Sequence, residues 1–197
     1  RSVRDGPGQR ARPVSRSRPV QSGDAILRIP CRTHPLPRMP FLDLLTTDRV
    51  RTDLDAADKP ELLDLLSGLL ADDDADRAAV LEALTSRESL GSTGLGRGVA
   101  IPHGRMSGID KARAAFVRLG QPIDFGSMDG EPVDLVAALV VPAHFTDQHL
   151  QLLAELAEVF SDRTLTRALR AAADGSALRA ELAEFARHKM AGRAWND

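Results

Sequence analysis

Of the five histidines in this 197-residue chain, His103 has the most unusual setting. It lies between Pro102 and Gly104 at the end of a glycine-rich run, GSTGLGRGVAIPHGR (91–105). Neutral imidazole is a good nucleophile near pH 7, because its reference pKa is about 6.5. The flanking proline and glycine fix the backbone and leave room for approach from outside. A histidine that forms a covalent intermediate needs that exposure. The plainer alternative is a loop histidine hydrogen-bonded to backbone.

Groups able to hold an anion on such a nitrogen occur nearby. Ser92 and Thr93 offer hydroxyls, and the backbone around Gly94 and Gly104 can present N–H groups as an anion-binding concavity. Arg87 stands a short loop away, and a guanidinium matches two phosphate oxygens at once. It equally suits a helix C-terminus, where a cation is favoured. His149 opens a helical segment whose free N–H groups and dipole favour an anion. Its alternative is a polar place on a solvated helix face.

Other machinery finds no support in the spacing. The glycines at 91, 94, 96 and 98 do not fit G-x-G-x-x-G, and no P-loop lysine follows. There is no G-x-S-x-G elbow, no C-x-x-C and no H-E-x-x-H. His103, His144 and His149 form no known zinc spacing, so neither a metal nor a cofactor is expected. The acidic run DDDAD (72–76) reads as a solvated helix start, since consecutive side chains diverge.

The elements that must carry these residues follow from pattern. An extended piece is expected at 49–54. Asp58 then caps a helix, with Pro60 in its first turn, Glu61 completing a capping box and a stripe from Leu62 to Leu70. A second helix is expected over 75–85, with Val80, Leu81 and Leu84 facing inward. Three β-prone runs follow: VAIP (99–102), AAFVRL (114–119) and VDLVAALVVP (133–142). Gly120-Gln121-Pro122 and Met128-Asp129-Gly130 read as turns between them. VAIP delivers His103 at a strand's carboxyl end, where open α/β sheets bind ligands. Helices are expected at 146–160, 162–173 and 176–188, with Thr146 and Ser176 as caps. This order gives an α/β protein, helices packed on a mixed sheet.

Composition sets the outer bounds. Apolar residues make up 43%, enough for one ordinary domain with a sizeable core. The net charge of −2 is uneven: residues 1–38 carry +7 and the remainder −9. Residues 1–38 mix Arg, Pro and Gly without apolar periodicity and read as a disordered extension, expected to be foreign to the native product. Patterned sequence starts at Met39; residues 191–197 form a short C-terminal tail. Cys31, the single cysteine, allows no intrachain disulfide. No apolar run reaches membrane-spanning length, and the basic segment lacks the apolar core of a signal peptide. A cytoplasmic protein is expected, with no membrane insertion and no nucleic acid on its folded domain.

The runs SRESLGSTGLGRGVAIPHGR (86–105), PVDLVAALVVPA (132–143) and HLQLLAELAEVF (149–160) resemble the enzyme IIA components of the bacterial phosphoenolpyruvate-dependent phosphotransferase system. The class is fructose/mannitol/nitrogen-regulatory, nearest the nitrogen-regulatory type, and the likeness covers residues 39–188. It implies a three-layer α/β/α sandwich around a central mixed sheet. It implies His103 as phosphoryl acceptor, on a nitrogen left open, with His149 as second active-site histidine and Arg87 supporting the charge. Ser92, Thr93, Gly94 and Gly104 are expected to assist. The donor is expected to be phospho-HPr or its nitrogen-branch counterpart. The downstream partner is a regulatory target or, in a transport IIA, a IIB domain. A binding module never phosphorylated is the reading from another class.

Overall fold

The run VDLVAALVVP is apolar on both strand faces, so it must lie between two covers. The computed structural model describes residues 40–145 and 147–190 and places that run at the centre of one sheet. In chain order the elements are α1 (Pro40–Leu44), β1 (Leu45–Leu54), α2 (Lys59–Leu70), α3 (Asp74–Glu88), β2 (Gly94–Gly96), β3 (Val99–Ala100), β4 (His103–Met106), β5 (Arg113–Ile123), β6 (Val133–Pro142), α4 (Asp147–Ser161), α5 (Arg163–Ala171) and α6 (Gly175–Met190). The six strands run β1-β5-β6-β3-β2, and β4 pairs with β6 alongside β3. β1 is parallel to β5, β3 and β4 are parallel to β6, and β5 is antiparallel to β6. The sheet is open and mixed.

Alternation along the central strands splits the core in two. Leu135, Ala137, Leu139 and Val141 point to one face with Ala114 and Phe116, and meet α1, α4, α5 and α6. Val136, Ala138 and Val140 point to the other with Ala115 and Val117, and meet α2 and α3. Phe116 stacks on Phe160 with centroids 5.7 Å apart, fastening α4 to its face. The α/β/α sandwich is therefore set by the period-2 pattern of two strands.

Helix starts follow side-chain oxygens. Asp58 accepts from the Glu61 N–H at 2.9 Å, and Glu61 returns a bond to Ala57 N at 2.7 Å. The acidic run divides its labour: Asp73 caps α3, Asp72 pairs with Arg49 and Arg113, and Asp76 also meets Arg113. The run is the solvent-facing helix start expected of it, and its Asp72 and Asp76 also latch the helix to β1 and β5.

Several boundaries differ from the pattern reading. β1 begins at Leu45 and α3 runs on to Glu88. The five-residue α1, too short for periodicity, is held by the buried Phe41. Gly120-Gln121-Pro122 is no turn; β5 continues through it, with a register shift between Arg118 and Ile123 that takes the proline out of the ladder. Asp174, not Ser176, caps α6, accepting from Ala177 N at 2.8 Å. The turn at 128–130 is present, closed by Gly130 N to Ser127 O. The expected 1–38 extension, Cys31, the Thr146 cap and the 191–197 tail lie outside the described residues. Among the described residues no helix is long and apolar enough to cross a membrane.

One carboxyl in this packing has an unusual setting. Glu155 on α4 is half-buried and accepts from Phe41 N at 3.4 Å, at the start of α1. Burial raises its pKa to about 7, against the pull of that N–H and of Lys189, with Asp43 and Glu158 pushing the same way as burial. The folded state thus keeps a proton that the unfolded chain releases. Its contribution is full below the reference value of 4.5 and is lost as pH rises through about 7. Glu155→Gln should raise stability at pH 8 by about 1 kcal/mol, discounting for solvent, and flatten the loss between pH 5 and pH 8. Urea midpoints of both proteins at the two pH values check this.

Candidate functional site

Pro102 breaks what would otherwise be one long strand beside β6. β3 ends at Ala100, the Pro102 carbonyl accepts from Leu139 N, and β4 resumes pairing with His103 opposite Leu139. His103 is therefore the first residue of a strand, not a residue of a loop after a strand's end. Gly104 faces α3 so closely that a Cβ there would lie 2.7 Å from the Ala83 backbone. That contact brings the last turn of α3 to the rim, and with it Arg87. From the opposite face, α4 brings His149.

The three side chains meet. Arg87 Nε donates to His103 Nε2 at 3.1 Å, and another guanidinium nitrogen donates to the Gly91 carbonyl at 3.0 Å. His103 Nδ1 lies 2.8 Å from the Ile101 carbonyl. The His149 ring stands edge-on to His103 at 78°, with centroids 5.2 Å apart. A carbonyl can only accept and a guanidinium can only donate. Nδ1 must carry the proton, and Nε2 must present its lone pair.

Both rings are held neutral. His103 is half-buried, and burial lowers its pKa. The Ile101 carbonyl and Glu88 work against that, while Arg87 and Arg105 reinforce it. His149 is only 4% exposed; burial, then His103, Arg105 and Arg87, lower it to about 4. Its Nδ1 finds no hydrogen-bond partner among the described residues. A neutral nucleophile beside two permanent cations suits an incoming dianion.

The depression over this cluster has a volume of about 840 Å³ and is lined by Arg87, His103, Gly104, Arg105 and His149. Leu90, 83% exposed, and Leu150, 60% exposed, stand on its lining with Leu153. Solvent-facing leucines around a polar centre suit contact with another protein.

Not every expected residue lines the depression. Ser92, Thr93 and Gly94 do not line the depression. The Ser92 hydroxyl donates to the Phe125 carbonyl at 3.0 Å, and Thr93 Oγ1 donates to Glu88 at 2.6 Å. Gly94 to Gly96 form a strand, joined to β3 by a two-residue turn in which Arg97 and Gly98 both have positive φ. These residues shape the hairpin and anchor it. Glu88 and Lys59 were missed: Glu88 was visible as an acid inside SRESLGSTG, whereas nothing in the sequence ties Lys59 to it. Among the described residues no cluster of three or more His, Cys, Asp or Glu side chains could hold a metal.

Residues 43–185 match the family described as "Phosphoenolpyruvate-dependent sugar phosphotransferase system, EIIA 2". The chain belongs to this family. A nitrogen regulatory protein of Bradyrhizobium diazoefficiens is 40% identical over 146 residues, covering 74% of this chain and 95% of that protein. The nitrogen regulatory protein of Escherichia coli K12 is 41% identical over 132 residues, 66% of this chain and 80% of that one. The crystal structure of nitrogen regulatory protein IIA-Ntr from Neisseria meningitidis superposes with a TM-score of 0.69 at 38% identity, covering 73% of this chain and 99% of that one. IIA mannitol from Escherichia coli, at 20% identity and a TM-score of 0.58, shares the fold.

In this EIIA chain the lone pair at His103 Nε2 should be visible directly. Long-range ¹H–¹⁵N spectra over a pH series should show the Nδ1–H tautomer at His103, titrating below the ordinary imidazole value. His149 should stay neutral until pH falls to about 4. An Nε2–H tautomer at His103 would contradict the geometry.

Proposed function

We propose that this EIIA chain is a stoichiometric phosphoryl carrier, phosphorylated on His103 Nε2 by phospho-HPr or its nitrogen-branch counterpart. The observation that carries this is the Nε2 lone pair, opposite a proton fixed on Nδ1 by Ile101, in a depression that holds Arg87 and His149.

Transfer is an in-line displacement. A bond forms from His103 Nε2 to phosphorus as the bond from phosphorus to the donor's histidine nitrogen breaks. The donor ring recovers that electron pair. Arg87 must leave Nε2 for this to happen, and its guanidinium then pairs with the phosphoryl oxygens. The Nδ1–H bond to Ile101 O spreads the positive charge that His103 acquires. His149, neutral and already against the ring, gains a hydrogen-bonding partner in the phosphoryl group. Catalysis comes from positioning and charge.

The regulatory branch is favoured, supported by the relatives named nitrogen regulatory proteins, of which the chain covers 80% and more. A transport IIA that passes the group to a IIB domain is the second reading. It is supported by an 81-residue match at 42% identity to a protein named fructose-specific EIIA component in Haloferax volcanii. Regulatory partners would then dock on the leucine-bearing rim in a phosphorylation-dependent way.

His103→Ala should abolish labelling by phosphoenolpyruvate and the upstream carriers. Arg87→Ala should fold normally and transfer about a hundred-fold more slowly, as for loss of one preorganised charge donor. Single-turnover labelling with site mapping measures both. Full labelling of the His103 variant would end this reading; transfer to a purified IIB domain would move it to the transport branch.

A further inference from the structure

Glu88 is 9% exposed, a setting a carboxylate tolerates only when its charge is met. Here it is met from three sides. Lys59 Nζ, from the first turn of α2, lies 3.0 Å from Oε1. The Thr93 N–H and hydroxyl lie 3.1 and 2.6 Å from Oε2. Lys59 also sits over the Phe125 ring at 4.6 Å, and the Phe125 carbonyl holds the Ser92 hydroxyl. One carboxylate thus joins α2, the last turn of α3 and the 92–93 segment.

The turn closed this way is the one that steers Arg87. Glu88 and Thr93 are its two ends, and the Gly91 carbonyl inside it accepts from the Arg87 guanidinium. The remaining reach of that guanidinium goes to His103 Nε2. A carboxylate in the last turn of a helix opposes the helix dipole, so propensity does not explain Glu88. Its neighbours do.

We propose that Glu88 is a positioning residue of the transfer site: through Thr93 and Lys59 it holds the 88–93 turn closed, and the turn aims Arg87 at His103 Nε2. Glu88 touches no reacting atom and acts through Arg87. The proposal deepens the phosphoryl-carrier reading and rests on it. Its charge adds a second influence, since it partly offsets the push of Arg87 on the His103 ring.

The test uses the full chain with Glu88→Gln, Thr93→Val and Thr93→Ser. Glu88→Gln removes the charge that Lys59 meets; Thr93→Val removes the hydroxyl; Thr93→Ser keeps it. With a phosphorylated upstream carrier as donor, Glu88→Gln should lower the single-turnover transfer rate at saturating donor about ten- to a hundred-fold, the scale of a small misplacement, and leave the half-saturating donor concentration unchanged. Thr93→Val should fall between, and Thr93→Ser should match wild type. In the unphosphorylated protein, the Arg87 Nε–H signal that is coupled to His103 Nε2 should vanish in Glu88→Gln and persist in Thr93→Ser. A folded Glu88→Gln protein that keeps this signal, or loses it with the single-turnover rate unchanged, overturns the proposal. If Glu88→Gln does not fold, Thr93→Val and Lys59→Met decide by the same two readouts, and wild-type values in both overturn it. Failure of the carrier reading looks different: wild type itself takes no label on His103, while the spectra still report whether Glu88 holds Arg87.

Discussion

The imidazole of His103 is clamped between an acceptor, the Ile101 carbonyl at Nδ1, and a donor, Arg87 at Nε2. Neither partner can exchange its role, so one tautomer is imposed and one nitrogen is left with its lone pair. Most of the local architecture serves this pair of bonds. Pro102 interrupts the strand beside β6, so that His103 starts β4 within reach of the Ile101 carbonyl. Gly104 lets α3 approach until its backbone nearly touches the strand, and that closeness is what carries Arg87 across. A side chain at 104 would push α3 away and break the second bond while leaving the first.

The charges around the ring suit an anion at its open nitrogen. Two neutral imidazoles stand beside Arg87 and Arg105, and each arginine contributes to holding them neutral. Such a field is poorly matched to a resting site and well matched to a phosphoryl dianion. In the proposed phosphorylated state a dianion beside His149 would favour the charged form that burial disfavours. On that proposal, phosphorylation of His103 would act on the protonation of His149 across one pair of rings 5.2 Å apart.

What could be read in the sequence was what local patterns dictate. The Asp58 cap, the Leu62–Leu70 stripe and the unbroken apolar run of β6 need no distant partner to declare themselves. His103, Arg87 and His149 are singled out by residue type and setting and again by the resemblance, whereas their convergence is visible only with the sheet. β4 is a four-residue strand, HGRM, without apolar alternation; its identity lies in hydrogen bonds to β6 more than thirty residues on. Ser176 and Asp174 are both good capping types two residues apart, and only geometry chose between them. The extension of β5 through Pro122 was hidden by a residue that usually ends strands, tolerated where the ladder slips.

The glycine-rich run also changes meaning in three dimensions. Read linearly, GSTGLGRG suggests a backbone cradle for an anion. In the fold, a side chain at Gly94 would meet Ser127, one at Gly96 would meet Asp129, and one at Gly98 would meet Arg170 and Asp134. Glycine is needed there because the β2–β3 hairpin is pressed against its neighbours, and at 96 and 98 also because φ is positive. Ser92 and Thr93 likewise spend their hydroxyls on Phe125 and Glu88. The densest part of the motif is therefore a mechanical part: it holds the ground from which a single guanidinium reaches a single nitrogen. A site that works by aim more than by contact needs such ground to be rigid, and tight packing of small residues against a buried, fully met carboxylate makes it so.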